Sequence, residues 1–127
     1  MSADIWLVDQ KGNQLVVDED VDAELRSMVP MRQAGRTDST SFNLTYNLTP
    51  MLGAAGMPPW GELVGLSCSE AGPIWYRVAQ ELQADPDRFR IYNPPNGWGS
   101  YEDALEVISA LAVACMRFPS AVVAGWL

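Results

Sequence analysis

The chain has 127 residues, room for one hydrophobic core and hence one domain over 1–127. It is 48% hydrophobic and 19% charged, a balance suited to a folded domain, and sixteen Asp and Glu against eight Lys and Arg leave a formal charge of −8. That charge argues against a nonspecific nucleic-acid or anionic-membrane binder, and the absence of His excludes Ser-His triads, Cys-His dyads, H-E-x-x-H zinc sites and His proton switches.

Residues 5–8 and 15–17 are apolar and β-branched, with Gln10-Lys11-Gly12-Asn13 between them, which predicts a β-hairpin. An acidic stretch follows, with Asp18, Glu19, Asp20, Asp22 and Glu24. Over 19–40 the composition fits either a mobile acidic loop or, at 21–29, one weak amphipathic helix using Val21, Leu25 and Met28. Across 41–49, Ser41, Asn43, Thr45, Asn47 and Thr49 alternate with Phe42, Leu44, Tyr46 and Leu48. Strict alternation predicts a strand with one buried and one polar face. Thr49-Pro50 then supplies an N-cap and first helical residue for a short helix ending near Gly53 or Gly56, and Pro58-Pro59 forbids its continuation.

A second helix is predicted from Gly72-Pro73 to about Gln83, with Ile74, Trp75, Val78, Ala79 and Leu82 on one stripe. Asp85-Pro86 restarts the same cap logic for one turn through Phe89. Ser100 caps a third helix, with Asp103 three residues on, and Pro119 stops it. The wholly apolar end, 121–127, is placed as a strand inside the sheet. The expected fold is α+β, in the order β-β-β-α-α-α-β: an antiparallel or mixed sheet of about four strands with the two main helices on one face.

Few constellations carry chemistry. Asn43, Thr45 and Asn47 form a row of neutral donors and acceptors that offers no general base. The stretch Tyr92-Asn93-Pro94-Pro95-Asn96-Gly97-Trp98-Gly99-Ser100-Tyr101 joins stiffening prolines, permissive glycines and three aromatics, and presents Trp98 or Tyr101 as a stacking plate beside Asn93 and Asn96. A structural reading competes with both: a solvated sheet face, and a rigid connection whose Trp plugs the core. Asp18, Asp20 and Asp22 open like a calcium loop, but Ala23 replaces the required Gly and Val29 the bidentate Glu. Glu102 and Glu106, one helical turn apart, read as an exposed pair rather than acid–base machinery. Cys68 and Cys115 belong to no C-x-x-C pair and read as reduced core residues; Cys68 has no His to activate it. No cofactor or metal is expected. Without a basic segment leading into an apolar one, and without an apolar run of about 18 residues, the expected location is the cytoplasm.

The segments Phe42-Asn43-Leu44-Thr45-Tyr46-Asn47-Leu48-Thr49-Pro50-Met51 and Asn93-Pro94-Pro95-Asn96-Gly97-Trp98-Gly99-Ser100-Tyr101 resemble a group of small phage, prophage and actinobacterial proteins over about 41–124. The resemblance implies a mobile-element setting, and so the host cytoplasm for a phage-encoded member, but supplies no activity. The acidic stretch and the uncharged final strand depart from that group.

The resulting expectation is a noncatalytic binding protein that engages, and in one form inhibits, a host protein. Its candidate surface is Asn43, Thr45, Tyr46, Asn47, Asn93, Asn96, Trp98 and Tyr101, and its charge suits a basic partner. The alternatives are a nucleotide-like small molecule held by the amides and Trp98, a self-associating assembly protein, and a carboxylate hydrolase, the last weakened by the lack of a convergent acid pair.

Overall fold

A computed structural model of the chain describes residues 2–29 and 40–127. Alternation sets the sheet. In β1 (Ser2–Val8) Ala3, Ile5 and Leu7 are buried while Asp4 is exposed, and in β2 (Ser41–Thr45) Phe42 and Leu44 are buried while Asn43 is exposed. Together with β3 (Val122–Trp126) they make a three-stranded antiparallel sheet in the order β2-β1-β3. The class is the expected α+β, with one strand fewer than the four predicted.

The missing strand is the second arm of the hairpin. The turn forms, with Asp9 Oδ1 accepting from the Lys11 and Asn13 amides, but pairing stops at a single bridge between Val8 and Gln14. From Trp6 backward β2 occupies one edge of β1, and β3 occupies the other. Leu15 still reaches β1 through its amide to the Leu7 carbonyl, but the Thr40 carbonyl takes the Leu7 amide and β2 takes the edge beyond it, so 16–17 have no free edge to join. β1 is thus the central strand, and β3 lies at the margin of the sheet instead of inside it. The outer side of β3 is partly closed by 65–68: Gly65 and Cys68 amides donate to Val123 and Ala121 carbonyls, and the Val123 amide donates to Leu66. This limits the open backbone that an edge strand presents.

The acidic stretch becomes α1 (Glu19–Ser27). Asp18 caps it by accepting from the Val21 amide at 2.8 Å, and Glu19, Asp20 and Asp22 fill the first turn, where negative charge complements the helix dipole. The calcium-like spacing is therefore a helix start. Leu25 anchors this helix in the core, as the helical alternative predicts, while Met28 stays exposed. The remainder of the proposed mobile loop, 30–39, lies outside the described residues.

After β2 come a 3₁₀ turn (Tyr46–Leu48), α2 (Thr49–Ala54) and α3 (Trp60–Leu63). The main helices are α4 (Cys68–Ala84) and α6 (Tyr101–Arg117), packed on each other against one face of the sheet, with the one-turn α5 (Pro86–Arg90) between them. α4 begins at Cys68, ahead of the predicted Gly72-Pro73. Pro73 is its sixth residue, close enough to the N-terminus to remove only the hydrogen bond owed to the Ser69 carbonyl. Gly72 serves the crossing instead: a Cβ there would stand 3.0 Å from Cys115 Cβ, so its absence lets α4 approach α6. α6 is as predicted, with Ser100 Oγ accepting from the Asp103 amide at 3.2 Å. Its surroundings overturn one expectation, since Glu106 is buried (2% exposed). α4, β2 and α1 all pack on this helix, and every residue from 104 to 112 is buried, so its middle has no solvent-facing side.

Candidate functional site

The predicted polar row splits at Thr45. Its hydroxyl accepts from the Asn47 amide at 3.3 Å, which ends the strand and starts the 3₁₀ turn leading into Thr49-Pro50. The strand therefore covers 41–45, not 41–49: the Thr45 cap turns the chain at 46–48, and Thr49 is the first residue of α2 rather than its predicted N-cap, which is Leu48 and makes no side-chain cap bond. Asn43 remains on the sheet face turned away from the helices. There its side-chain amide donates to Asp4 Oδ1 at 2.6 Å and to Ser2 Oγ at 2.9 Å. Asn47 is exposed on the 3₁₀ turn, and Tyr46 is half-buried against the core.

The Pro- and Gly-rich loop is built around its own backbone. The Gly97 amide donates to the Pro94 carbonyl at 3.1 Å, and Asn96 Oδ1 accepts from the Trp98 amide at 3.0 Å. Asn93 Oδ1 accepts from the Tyr101 amide at 2.8 Å, meeting one of the donors that the start of α6 leaves free. Both carbonyl ends are thus engaged in fixing the loop. Tyr101 is a core residue rather than a stacking plate: it is 2% exposed, and its hydroxyl donates to the Leu82 carbonyl at 2.6 Å. Burial raises its pKa, partly offset by Arg90. The Arg90 guanidinium lies 4.8 Å from the centre of the Tyr101 ring and pairs with Glu102 at 3.3 Å, which pins both ends of the loop. A hydrogen bond from its own backbone amide, aided by Arg90 and Ser100, holds the Glu102 carboxyl below its ordinary value, against partial desolvation.

The two halves meet at Gly99. With φ at +99°, it passes so close to Thr45 and Leu48 that a Cβ would stand 2.7 Å from Thr45 Cγ2 and 3.1 Å from Leu48 Cγ. Asn47 Nδ2 reaches the Trp98 carbonyl at 3.4 Å, a long bond, so packing at Gly99 is the stronger tie. Trp98 itself is 71% exposed. Thr45, Asn47 and Trp98 are therefore brought together, while Asn43 joins them only through the strand.

Cross-strand register extends this surface in a direction the sequence reading missed. Thr45 pairs with Ser2, Asn43 with Asp4, and Asp4 in turn with Trp126 on β3, so Asn43, Asp4 and Trp126 lie in one row on one face. At strand spacing the row spans about 10 Å. Trp126 is 74% exposed, and Trp6, its diagonal neighbour on that face, is half-buried. The signal was present as the period-2 placement of Asp4 and Trp6 and of Trp126, but it acquires meaning only once the strand pairing is known. The resulting face carries the exposed Trp126 at one end, carboxylate, amide and hydroxyl groups along it, and beyond Thr45 the loop that bears the exposed Trp98. No group of three or more Cys, Asp or Glu able to hold a metal ion stands together among the described residues, and no described helix is long and apolar enough to cross a membrane. No family model, curated protein or solved structure matches the chain.

Proposed function

We propose that this protein is a noncatalytic protein-binding module of phage type. Its interface is the surface running from Trp98 through Asn47, Thr45, Asn43 and Asp4 to Trp126, and its partner is a basic host protein. One observation carries the reading: two indoles, 71% and 74% exposed, stand beyond the two ends of a row of polar side chains joined by strand pairing and by the close approach of Gly99 to Thr45. Tryptophan is enriched among the residues that dominate protein interfaces, and burying one such ring removes roughly 150–250 Å² from water. The formal charge of −8 supports a basic partner through steering and complementarity.

The small-molecule alternative loses support from the same geometry. Asn43 Nδ2, Asn93 Oδ1 and Asn96 Oδ1 each bond within the chain, so these amides have one end already committed where a base edge would call for both. Three cavities bounded by described residues, near Asp9 and Phe118, near Val17 and Arg26, and near Cys68 and Tyr76, are lined by other side chains.

The test is affinity capture from bacterial lysate with wild type, Trp98→Ala and Trp126→Ala in parallel, at low and high salt. The expected result is a basic protein retained by wild type, weakened by salt and lost from both variants. Capture indifferent to both substitutions would refute the assignment. So would a concentration-dependent dimer in light scattering that Trp126→Ala abolishes, or a nucleotide-induced rise in melting temperature that requires Trp98.

A further inference from the structure

The α4–α6 crossing brings together two thiols that lie 47 residues apart in sequence. Cys68 is the first residue of α4, Cys115 belongs to the last turn of α6, and both are buried. Their sulfurs are 2.9 Å apart, less than ~1 Å beyond a bonded S–S length of about 2.05 Å. The gap left by the missing Gly72 side chain, 3.0 Å from Cys115 Cβ, makes this approach possible. The two thiols are also unequal. Cys115 donates its S–H to Cys68, which lowers the Cys68 pKa despite opposing burial and, together with burial, raises that of Cys115. Cys68 further stands at the N-terminus of a 17-residue helix, where the dipole favours a thiolate. Beside the pair lies a mainly apolar cavity of about 390 Å³, walled by Cys68, Gly72, Pro73, Tyr76, Cys115 and Met116.

We propose that Cys68 and Cys115 form a redox-modification site, a dithiol that closes to an intramolecular disulfide by exchange with a low-molecular-weight organic disulfide entering through this cavity. The Cys68 thiolate attacks one sulfur of the incoming disulfide. A mixed disulfide forms, the incoming S–S bond breaks, and the departing thiolate takes up a proton equivalent to the one Cys68 released. Cys115 then gives up its proton and attacks Cys68 Sγ, expelling the second small thiolate, which accepts that proton. The protein loses two hydrogens and two electrons, and the small disulfide is reduced to two thiols. The product staples the start of α4 to the end of α6.

The test treats the folded full-length chain with oxidised glutathione, then unfolds it in an alkylating denaturant and measures its intact mass. The reduced protein should take up two alkyl groups. The oxidised protein should take up none, weigh two hydrogens less, carry no glutathione, melt at a higher temperature, and revert with dithiothreitol. Cys115→Ala should retain one glutathione on Cys68, and Cys68→Ala should react at least tenfold more slowly than wild type. Wild type alone decides the outcome if a variant fails to fold. A stable glutathione adduct on wild type, two thiols still alkylated after oxidation, or a disulfide that forms only after prior unfolding would each overturn the proposal.

Discussion

Alanine at Gly99 places two separable burdens on the junction that assembles the candidate surface. A non-glycine residue at φ +99° costs about 1–2 kcal/mol in backbone strain. The added methyl would stand 2.7 Å from Thr45 Cγ2, whereas carbons in comfortable contact are about 3.5–4.0 Å apart. Relieving that overlap costs roughly a further 1–3 kcal/mol, as overpacking does elsewhere. Gly97→Ala provides the control, because its φ is +77° but its Cβ would meet nothing within 4 Å. Gly99→Ala should therefore destabilise by about 2–5 kcal/mol and Gly97→Ala by only about 1–2 kcal/mol.

A domain of this size has about 5–15 kcal/mol to lose, so both variants should fold, and urea titrations with unchanged slopes give the difference from their midpoints. Thr45→Ser then tests the cause. It removes Cγ2 but keeps the hydroxyl that accepts from the Asn47 amide, so in the Gly99→Ala background it should recover part of the loss, with a coupling of about 0.5–3 kcal/mol. Equal costs for the two alanines, together with no coupling to position 45, would refute the close approach on which the surface depends.

Tyr101→Phe should cost about 1–2 kcal/mol in the same titration, because it strands the buried Leu82 carbonyl; an unchanged midpoint would contradict the 2.6 Å bond. Asn93→Ala should cost roughly 1 kcal/mol through the unmet Tyr101 amide, whereas Asn43→Ala, on the exposed sheet face, should stay within about 0.5 kcal/mol, and equal losses would contradict their different roles. The Glu102 carboxyl, depressed in the folded protein, contributes stability that is complete above the ordinary carboxyl value and is lost as pH falls through the folded value. Carboxyl titration by NMR should show a lowered midpoint for Glu102 that moves upward in Arg90→Gln, and a midpoint indifferent to position 90 would remove Arg90 as a cause.

Features fixed by near neighbours in sequence were legible. Ser100 and Pro119 bound α6 because capping and helix termination act within a few residues. The two-faced character of 41–45 was legible for the same reason. The hairpin was misread because its second arm needs an edge of β1, and both edges are taken by strands distant in sequence. Glu106 was misread because its burial comes from the elements around α6 rather than from the helix's own pattern. Pro73 reads as a boundary although it is the sixth residue of α4, because the preference for proline near a helix start also admits a place slightly further in. For the candidate surface, the exposure of Trp98 follows from its loop, whereas the role of Trp126 depends on a register that no local pattern encodes.

The site residues divide according to whether their polar atoms face the protein or the solvent. Asn93, Asn96 and Tyr101 turn theirs toward the loop or the core, so their effect on binding must pass through the position of Trp98. Asn47 and Trp98 remain exposed and touch each other only through one long hydrogen bond, while Gly99 against Thr45 supplies the closer fit. The conformational freedom of an exposed indole is reduced before binding when its backbone is held on both sides, which lowers the ordering cost that an interface must meet. Substitutions at Asn93 or Gly99 should therefore weaken stability and binding together, whereas Trp98→Ala should weaken binding with stability nearly unchanged. Parallel unfolding and capture measurements on those three variants separate the scaffold from the contact surface, and a Trp98→Ala protein as destabilised as Gly99→Ala would place that indole in the scaffold.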